Sequence, residues 1–221
     1  MAGMTRRMWL ASWGVAPLAG AATAWALAGK PGDAAGPRLT PRQRIQKYHL
    51  LNVELTTHEG KKVRFYDDLV KDRKVVINFM YANCEGICPP VTSNLVQVQK
   101  MLNGRVGRDI FFYSITLKPE EDSPEVLKRY AELHGVGPGW LFLTGKPEDV
   151  EALRRGLGFA YSDPVEDADK SNHVGMLRIG VEPAMRWAGM PGMARPQQTL
   201  RTVLFEFDSP SLRDIPIYES R

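Results

Sequence analysis

The sequence predicts a three-layer α/β sandwich, a central sheet with helices on both faces, opened by an N-terminal β-hairpin. Three observations carry that expectation. Residues 75–81 and 110–117 are β-branched, aromatic or otherwise apolar almost throughout, as strands buried on both faces are. Each run is followed by apolar residues at helical spacing, in stretches that begin at Pro89 and Pro124. The alternation of strand and helix patterns then continues down the chain, and elements in that order with short connections pack as a sheet between helical layers.

Taken in order, residues 1–28 read as a targeting segment. Arg6 and Arg7 lead an apolar stretch without Asp or Glu that ends in Ala26-Leu27-Ala28, a small-x-small cleavage pattern. The run Thr5-Arg6-Arg7-Met8-Trp9-Leu10 has the form of a twin-arginine export signal. Residues 8–28 are also nearly long enough to remain in the bilayer as an anchor, although their Ala and Gly content and Pro17 weaken a stable span. Either outcome predicts a periplasmic domain, soluble or anchored to the outer face of the inner membrane. Residues 29–44, rich in Pro, Gly, Ala and Arg with no apolar period, read as a flexible tether. The folded domain is then 45–221, with order expected from about Tyr48.

Within that domain residues 49–55, the turn His58-Glu59-Gly60-Lys61 and residues 63–65 read as the opening hairpin. Residues 75–81 form the next strand, and Val91, Leu95, Val98 and Leu102 mark one face of a helix that Pro89 begins. After the strand at 110–117, Ser123 caps a helix that runs from Pro124 to about His134 and stops at Gly135. A short strand at 140–144, a helix at 147–157, a strand at 174–179 and a last helix at 196–207 complete the expectation. That last helix carries Leu200, Val203, Leu204 and Phe207 on one face.

Charge excludes one class of partner. The formal net charge is +4, from 29 Lys and Arg against 25 Asp and Glu, and two of the cations are Arg6 and Arg7 of the leader. The remaining basic residues are interspersed with acids, so no basic stripe suited to a phosphate backbone is present in the sequence, and no nucleic-acid partner is expected.

The chemistry points to the two cysteines of the chain, in Asn83-Cys84-Glu85-Gly86-Ile87-Cys88-Pro89. They fall between the first buried strand and the helix that Pro89 starts. A helix N-terminus presents unpaired N–H groups and a positive dipole end, which favour thiolate over thiol and make such cysteines nucleophiles and metal ligands. Residues four apart in a helix-like turn lie about one turn apart, roughly 6 Å, so both sulfurs can meet one metal or each other. Other readings remain open at this point. A structural disulfide is common in exported proteins, but so short a loop removes little unfolded-state entropy. A structural zinc site wants four N or S ligands, and the chain has two Cys and four His. A thiol–disulfide oxidoreductase also places its pair at a strand–helix junction, usually with two intervening residues where this chain has three.

Beyond the cysteines, the stretch with Phe65-Tyr66-Asp67-Asp68-Leu69, Lys74-Val75-Val76-Ile77-Asn78-Phe79 and Cys84-Glu85-Gly86-Ile87-Cys88-Pro89 resembles the core of the Sco (SenC) family. Downstream, Ser114-Ile115-Thr116-Leu117, Asp122-Ser123-Pro124-Glu125-Val126-Leu127 and Trp140-Leu141-Phe142-Leu143-Thr144-Gly145 are similar to that family's next strand, helix and strand. The resemblance covers roughly residues 48–182. It implies a thioredoxin-like fold and a copper chaperone for cytochrome oxidase, and it implies that one copper, Cu(I) or Cu(II), is held by Cys84, Cys88 and His173. Alone, a histidine such as His173 in Ser171-Asn172-His173-Val174 is more often solvated or packed than a ligand. The ligand set suits the metal, because thiolates select Cu(I) and an added imidazole accommodates Cu(II). The expected partner is a copper-accepting subunit of a respiratory oxidase or another copper carrier.

Two departures from the family pattern stand out. Asn172 occupies a position where an acidic residue is frequent, which removes a charge beside the imidazole. After Glu182 the resemblance fades into a segment rich in Gly and Pro that reads as a loop and carries Met185, Met190 and Met193, thioethers more often apolar filler than copper ligands. His49 is read at a strand edge, His58 at a turn and His134 at a helix end, and none is given a role. Asp67, Asp68, Glu120, Glu121 and Asp122 are read as solvated or capping acids at turns and helix starts. The function expected is therefore non-enzymatic copper delivery with adjustment of a client's thiol redox state. The alternative is a periplasmic thiol–disulfide oxidoreductase that uses Cys84 and Cys88 as its redox pair.

Overall fold

A computed structural model describes residues 38–169 and 175–208. The leader at 1–28, residues 29–37 of the expected tether and His173 lie outside the described residues. Among the described residues no helix is long and apolar enough to cross a membrane.

Seven strands form one sheet in the order β2-β1-β5-β4-β3-β6-β7. The strands are β1 (Glu54–Thr57), β2 (Lys62–Arg64), β3 (Lys74–Met80), β4 (Phe111–Thr116), β5 (Trp140–Gly145), β6 (Met176–Val181) and β7 (Arg186–Pro191). The helices are α1 (Pro41–His49), α2 (Cys88–Met101), α3 (Pro124–Leu133), α4 (Pro147–Gly156), α5 (Pro164–Ala168) and α6 (Pro196–Asp208). The central strands β3, β4 and β5 run parallel, and β6 and β7 close one side antiparallel to β3 and to each other. On the other side β1 pairs antiparallel with β5 and β2 with β1, which is the expected opening hairpin. Helix α2 joins β3 to β4 and α3 joins β4 to β5. Both crossovers step the same way across the sheet, so right-handed connections put both helices on one face. Thr92 of α2 meets Tyr130 of α3 at 3.0 Å, and α6 packs on α2 and on β6. Helix α4 joins β5 to the antiparallel β6 and packs with α1 and β5. Every side chain of β3 from Val75 to Met80 is buried, as an apolar run covered on both faces requires.

The structure adds α5, which has no counterpart among the expected elements, and departs from them in four further places. Helix α1 occupies part of what reads as tether and as the start of the hairpin, and it places His49 at a helix end rather than a strand edge. Thr40 caps it, Pro41 begins it, and Gln43 completes a reciprocal capping box. Its side chains then find partners far along the chain, since Arg42 reaches Glu182 at 2.6 Å. Residues Phe65–Val70 form a π-helical turn in place of the end of a strand. The segment after Glu182 that reads as a loop contains β7, and Met190 is buried in it against the core. Met185 sits with positive φ just before that strand, and Met193 is 51% exposed after it. Finally, Asp122 is 2% exposed rather than a solvated cap, because the turn before α3 folds back over the ends of β3 and β4.

Candidate functional site

Strand β3 ends at Met80, and the chain passes through Tyr81, Ala82 and Asn83 to Cys84 before α2 begins at Cys88. Pro89 and Pro90 follow at once, where a missing N–H costs the helix nothing. No disulfide joins the two cysteines, and both are buried, 6% exposed for Cys84 and 2% for Cys88. The backbone N–H of Cys88 points at Cys84 Sγ, 3.5 Å away, so the free donors of the α2 N-terminus are turned toward this sulfur.

Their surroundings separate the two thiols. Burial alone would raise Cys84, but hydrogen bonds from the Cys88 thiol, the N–H groups of Cys88 and Gly86, and the Tyr81 hydroxyl together hold it below the ordinary thiol value. Cys88 is pushed well up, first by burial and then by donating to Cys84, with the nearby Asp122 charge adding to the rise. Cys84 is therefore the thiol of the pair that gives up its proton first, and Cys88 donates to it. Tyr81 is pushed up to about 12 by burial and by its bond to Cys84, and Lys118 lies over its ring at 4.7 Å.

A buried polar layer underlies the pair. Asp122 Oδ2 accepts from the Ala82 N–H at 3.1 Å and from the Thr116 hydroxyl, whose oxygen accepts in turn from the Lys118 N–H at 2.9 Å. Burial pushes the Asp122 carboxyl above its ordinary value. Composition alone does not set Asp122 apart from Glu120 and Glu121; its position just before the Ser123-Pro124 cap is the only sequence cue that it turns inward.

The rim opposite the cysteine turn is built by two glycines. A Cβ on Gly175 would lie 2.1 Å from Ile87 Cδ1, and one on Gly192 would lie 3.0 Å from both methyl carbons of Val91. Gly192 donates to the Gly175 carbonyl at 2.8 Å, and Asn94 Nδ2 donates to the carbonyls of Gly192 and Ala194 at 3.3 and 3.2 Å. The ends of β6 and β7 are thus fastened onto the first turns of α2. Among the described residues no group of three or more His, Cys, Asp and Glu could hold a metal ion, and the expected third ligand, His173, lies outside them. The other histidines are remote in role. His49 Nδ1 is 2.9 Å from the Gly156 carbonyl, His58 Nδ1 accepts from the Phe142 N–H at 3.1 Å, and His134 lies against the Tyr130 ring.

A parallel-centred sheet with a low and a high thiol where its first parallel strand meets a helix defines a thioredoxin-like dithiol protein. The comparisons narrow the class. The SCO1/SenC family model matches residues 43–201, and the chain belongs to that family. A "SCO1 protein homolog" of Bacillus subtilis is 34% identical over 88 residues, which are 39% of this chain and 44% of that protein. A "SCO2-like protein" of Rickettsia felis is 28% identical over 110 residues, 50% of this chain and 52% of that one, so the matches span about half the length of these relatives. Among solved structures, yeast Sco1 with copper bound superimposes with a TM-score of 0.59 at 19% identity, over 76% of this chain and 93% of that one. BsSco, described as a member of the Sco family of cytochrome c oxidase assembly proteins and as having a disulfide switch, gives 0.59 at 22% over 74% and 95%.

Proposed function

We propose that this chain is an exported copper carrier that binds copper through Cys84, Cys88 and His173 and passes it to a copper site of a respiratory oxidase, adjusting client thiols where delivery requires it. The carrying observation is the packing of Gly175 on Ile87, inside the cysteine turn. His173 is two residues from Gly175 in the sequence, and two residues of chain span at most roughly 7 Å, which supports its assignment as the third ligand. The donor set fits the metal: two soft sulfurs, one already favouring thiolate, suit Cu(I), and an imidazole extends the site to Cu(II). Family membership and the copper-bound yeast relative support the same metal. The Arg6-Arg7 leader supports export, with the domain soluble or held at the outer face of the inner membrane through residues 8–28.

A second reading has its own observation. One thiol low and its neighbour high is the asymmetry a thiol–disulfide exchanger needs, with Cys84 attacking a client disulfide and Cys88 resolving the mixed disulfide. The two readings separate at His173. Carriage requires that His173→Ala lose most Cu(II) binding and its sulfur-to-copper absorption while retaining Cu(I) uptake and disulfide formation. Titration of the purified protein with each ion, followed optically and by elemental analysis, makes the measurement. An unchanged Cu(II) affinity and spectrum in the variant would remove His173 from the site and leave the exchange reading.

A further inference from the structure

We propose that Asp122 is the positioning residue of the cysteine pair: its buried carboxylate, set by the Thr116 hydroxyl and bonded to the Ala82 N–H, fixes the direction in which the chain leaves β3 and so the approach of Cys84 to Cys88. Three observations carry this. The last pair of the β3–β4 ladder is Met80 with Thr116, and the Leu117 N–H closes on the Met80 carbonyl at 2.7 Å, so the two strand ends are locked to one another. Beyond that lock the Tyr81 N–H turns to the Cys88 sulfur, and the next backbone donor on the way to Cys84, that of Ala82, is accepted by Asp122 Oδ2. The relay from the Lys118 N–H through the Thr116 oxygen to the same Oδ2 holds the acceptor in place from below. A carboxylate 2% exposed is costly to bury, and its position is dictated by two donors of fixed geometry rather than by an ion pair. After Ala82 only Asn83 separates this anchor from Cys84, whereas Cys88, although its sulfur meets the Tyr81 N–H, is carried by the start of α2. Release of the anchor therefore moves Cys84 more than Cys88.

This inference rests on Cys84 and Cys88 being the working pair, whichever of the two functions they serve. In the test reaction two thiols give one disulfide, and two electrons and two protons pass to glutathione disulfide, which becomes two molecules of glutathione. Closing the bond depends on the effective concentration of one sulfur at the other, so a displaced turn makes the disulfide easier to reduce. Two variants separate position from charge. Asp122→Asn keeps an oxygen in place to accept both hydrogen bonds but carries no charge; Asp122→Glu keeps the charge but extends it by one methylene.

The equilibrium constant for disulfide formation, read in glutathione buffers by mass spectrometry, is expected to stay within about twofold of wild type in Asp122→Asn. In Asp122→Glu it is expected to fall about tenfold, which is about 30 mV for a two-electron couple. A thermal melt of each reduced variant shows that the difference belongs to the pair and not to general unfolding. Should Asp122→Glu not fold, Thr116→Val, which deletes the donor that sets the carboxylate, replaces it with the same expected direction. The reverse order, Asn displaced and Glu unchanged, would assign the effect to charge and overturn the inference, as would constants equal to wild type in every variant. Failure of the underlying functional reading looks different, because there the wild-type protein itself forms no reversible disulfide and takes up no copper.

Discussion

Cys84 and Cys88 stand four positions apart, yet their surroundings favour opposite protonation states. Cys84 collects hydrogen bonds from N–H groups at the start of α2 and from Tyr81, while Cys88 is buried and donates. In the dithiol protein iodoacetamide should therefore modify Cys84 well before Cys88, as peptide mass mapping at short times would report; the opposite order would contradict the assignment of the thiolate. His58 offers a pH test away from the cysteines. Burial, which outweighs the neighbouring Glu59, holds its imidazole below the ordinary histidine value. A group that resists protonation when folded contributes stability above its unfolded value, about 6.5, and loses it as pH falls below that value. Wild-type melting temperature should decline from about pH 6.5 downward, and His58→Leu, with nothing to titrate there, should begin lower and decline less over the same window. That a histidine in the opening turn accepts a hydrogen bond from β5 is invisible in sequence, because the donor lies far along the chain.

At the scale of elements, the described segments that flank residues 170–174 in the sequence are each fastened to the fold. Downstream, Gly175 and Gly192 fasten the end of β6 to α2. Upstream, Asp167 of α5 receives both terminal nitrogens of Arg154 at 2.7 Å, one from Arg155 at 2.7 Å and the Tyr161 N–H at 2.9 Å. These contacts, the Arg154 bonds first, hold the Asp167 carboxyl far below the ordinary carboxylate range. The stability it contributes is complete above about pH 4 and is lost as pH falls through and below that value. Asp167→Asn leaves the Arg154 guanidinium, 4% exposed, with Glu151 as its remaining carboxylate, and should lower unfolding free energy by roughly 3 kcal/mol in urea titrations at neutral pH. That loss should shrink toward pH 3, where the wild-type advantage is itself being titrated away. Sequence reading missed α5 because five residues are too few to show a helical period, although Asp163-Pro164 is a cap-and-start pair.

At the scale of the molecule, Glu182 ties the N-terminal helix to the far side of the sheet. Its carboxylate is fully buried and accepts from Arg42 at 2.6 Å, Tyr66 at 2.8 Å and the Asp72 N–H at 2.9 Å. A chain beginning at Thr40 should therefore melt cooperatively, and one beginning at Leu50 should melt at a lower temperature, because Glu182 then keeps its burial without the guanidinium. Differential scanning calorimetry of the two would decide it, and equal melting temperatures would make α1 a dispensable attachment. The Gly, Pro and Arg content that reads as tether up to residue 44 hides this helix, since its stabilising partners are more than a hundred residues away.

The sequence by itself determined the elements whose information is local. The apolar runs of β3 and β4 read as buried strands, Pro89 and Ser123-Pro124 marked the starts of α2 and α3, and the chain order put Cys84 and Cys88 at the junction of β3 and α2. Only the tertiary structure decided what depends on distant partners: that α1 belongs to the domain, that Met190 lies in a strand, that Asp122 turns inward, and which cysteine is the more acidic. The physical reason is the same in each instance. A strand period or a helix cap is written in neighbouring residues, whereas the burial of a carboxylate and the acidity of a thiol are set by groups that only the folded chain brings together.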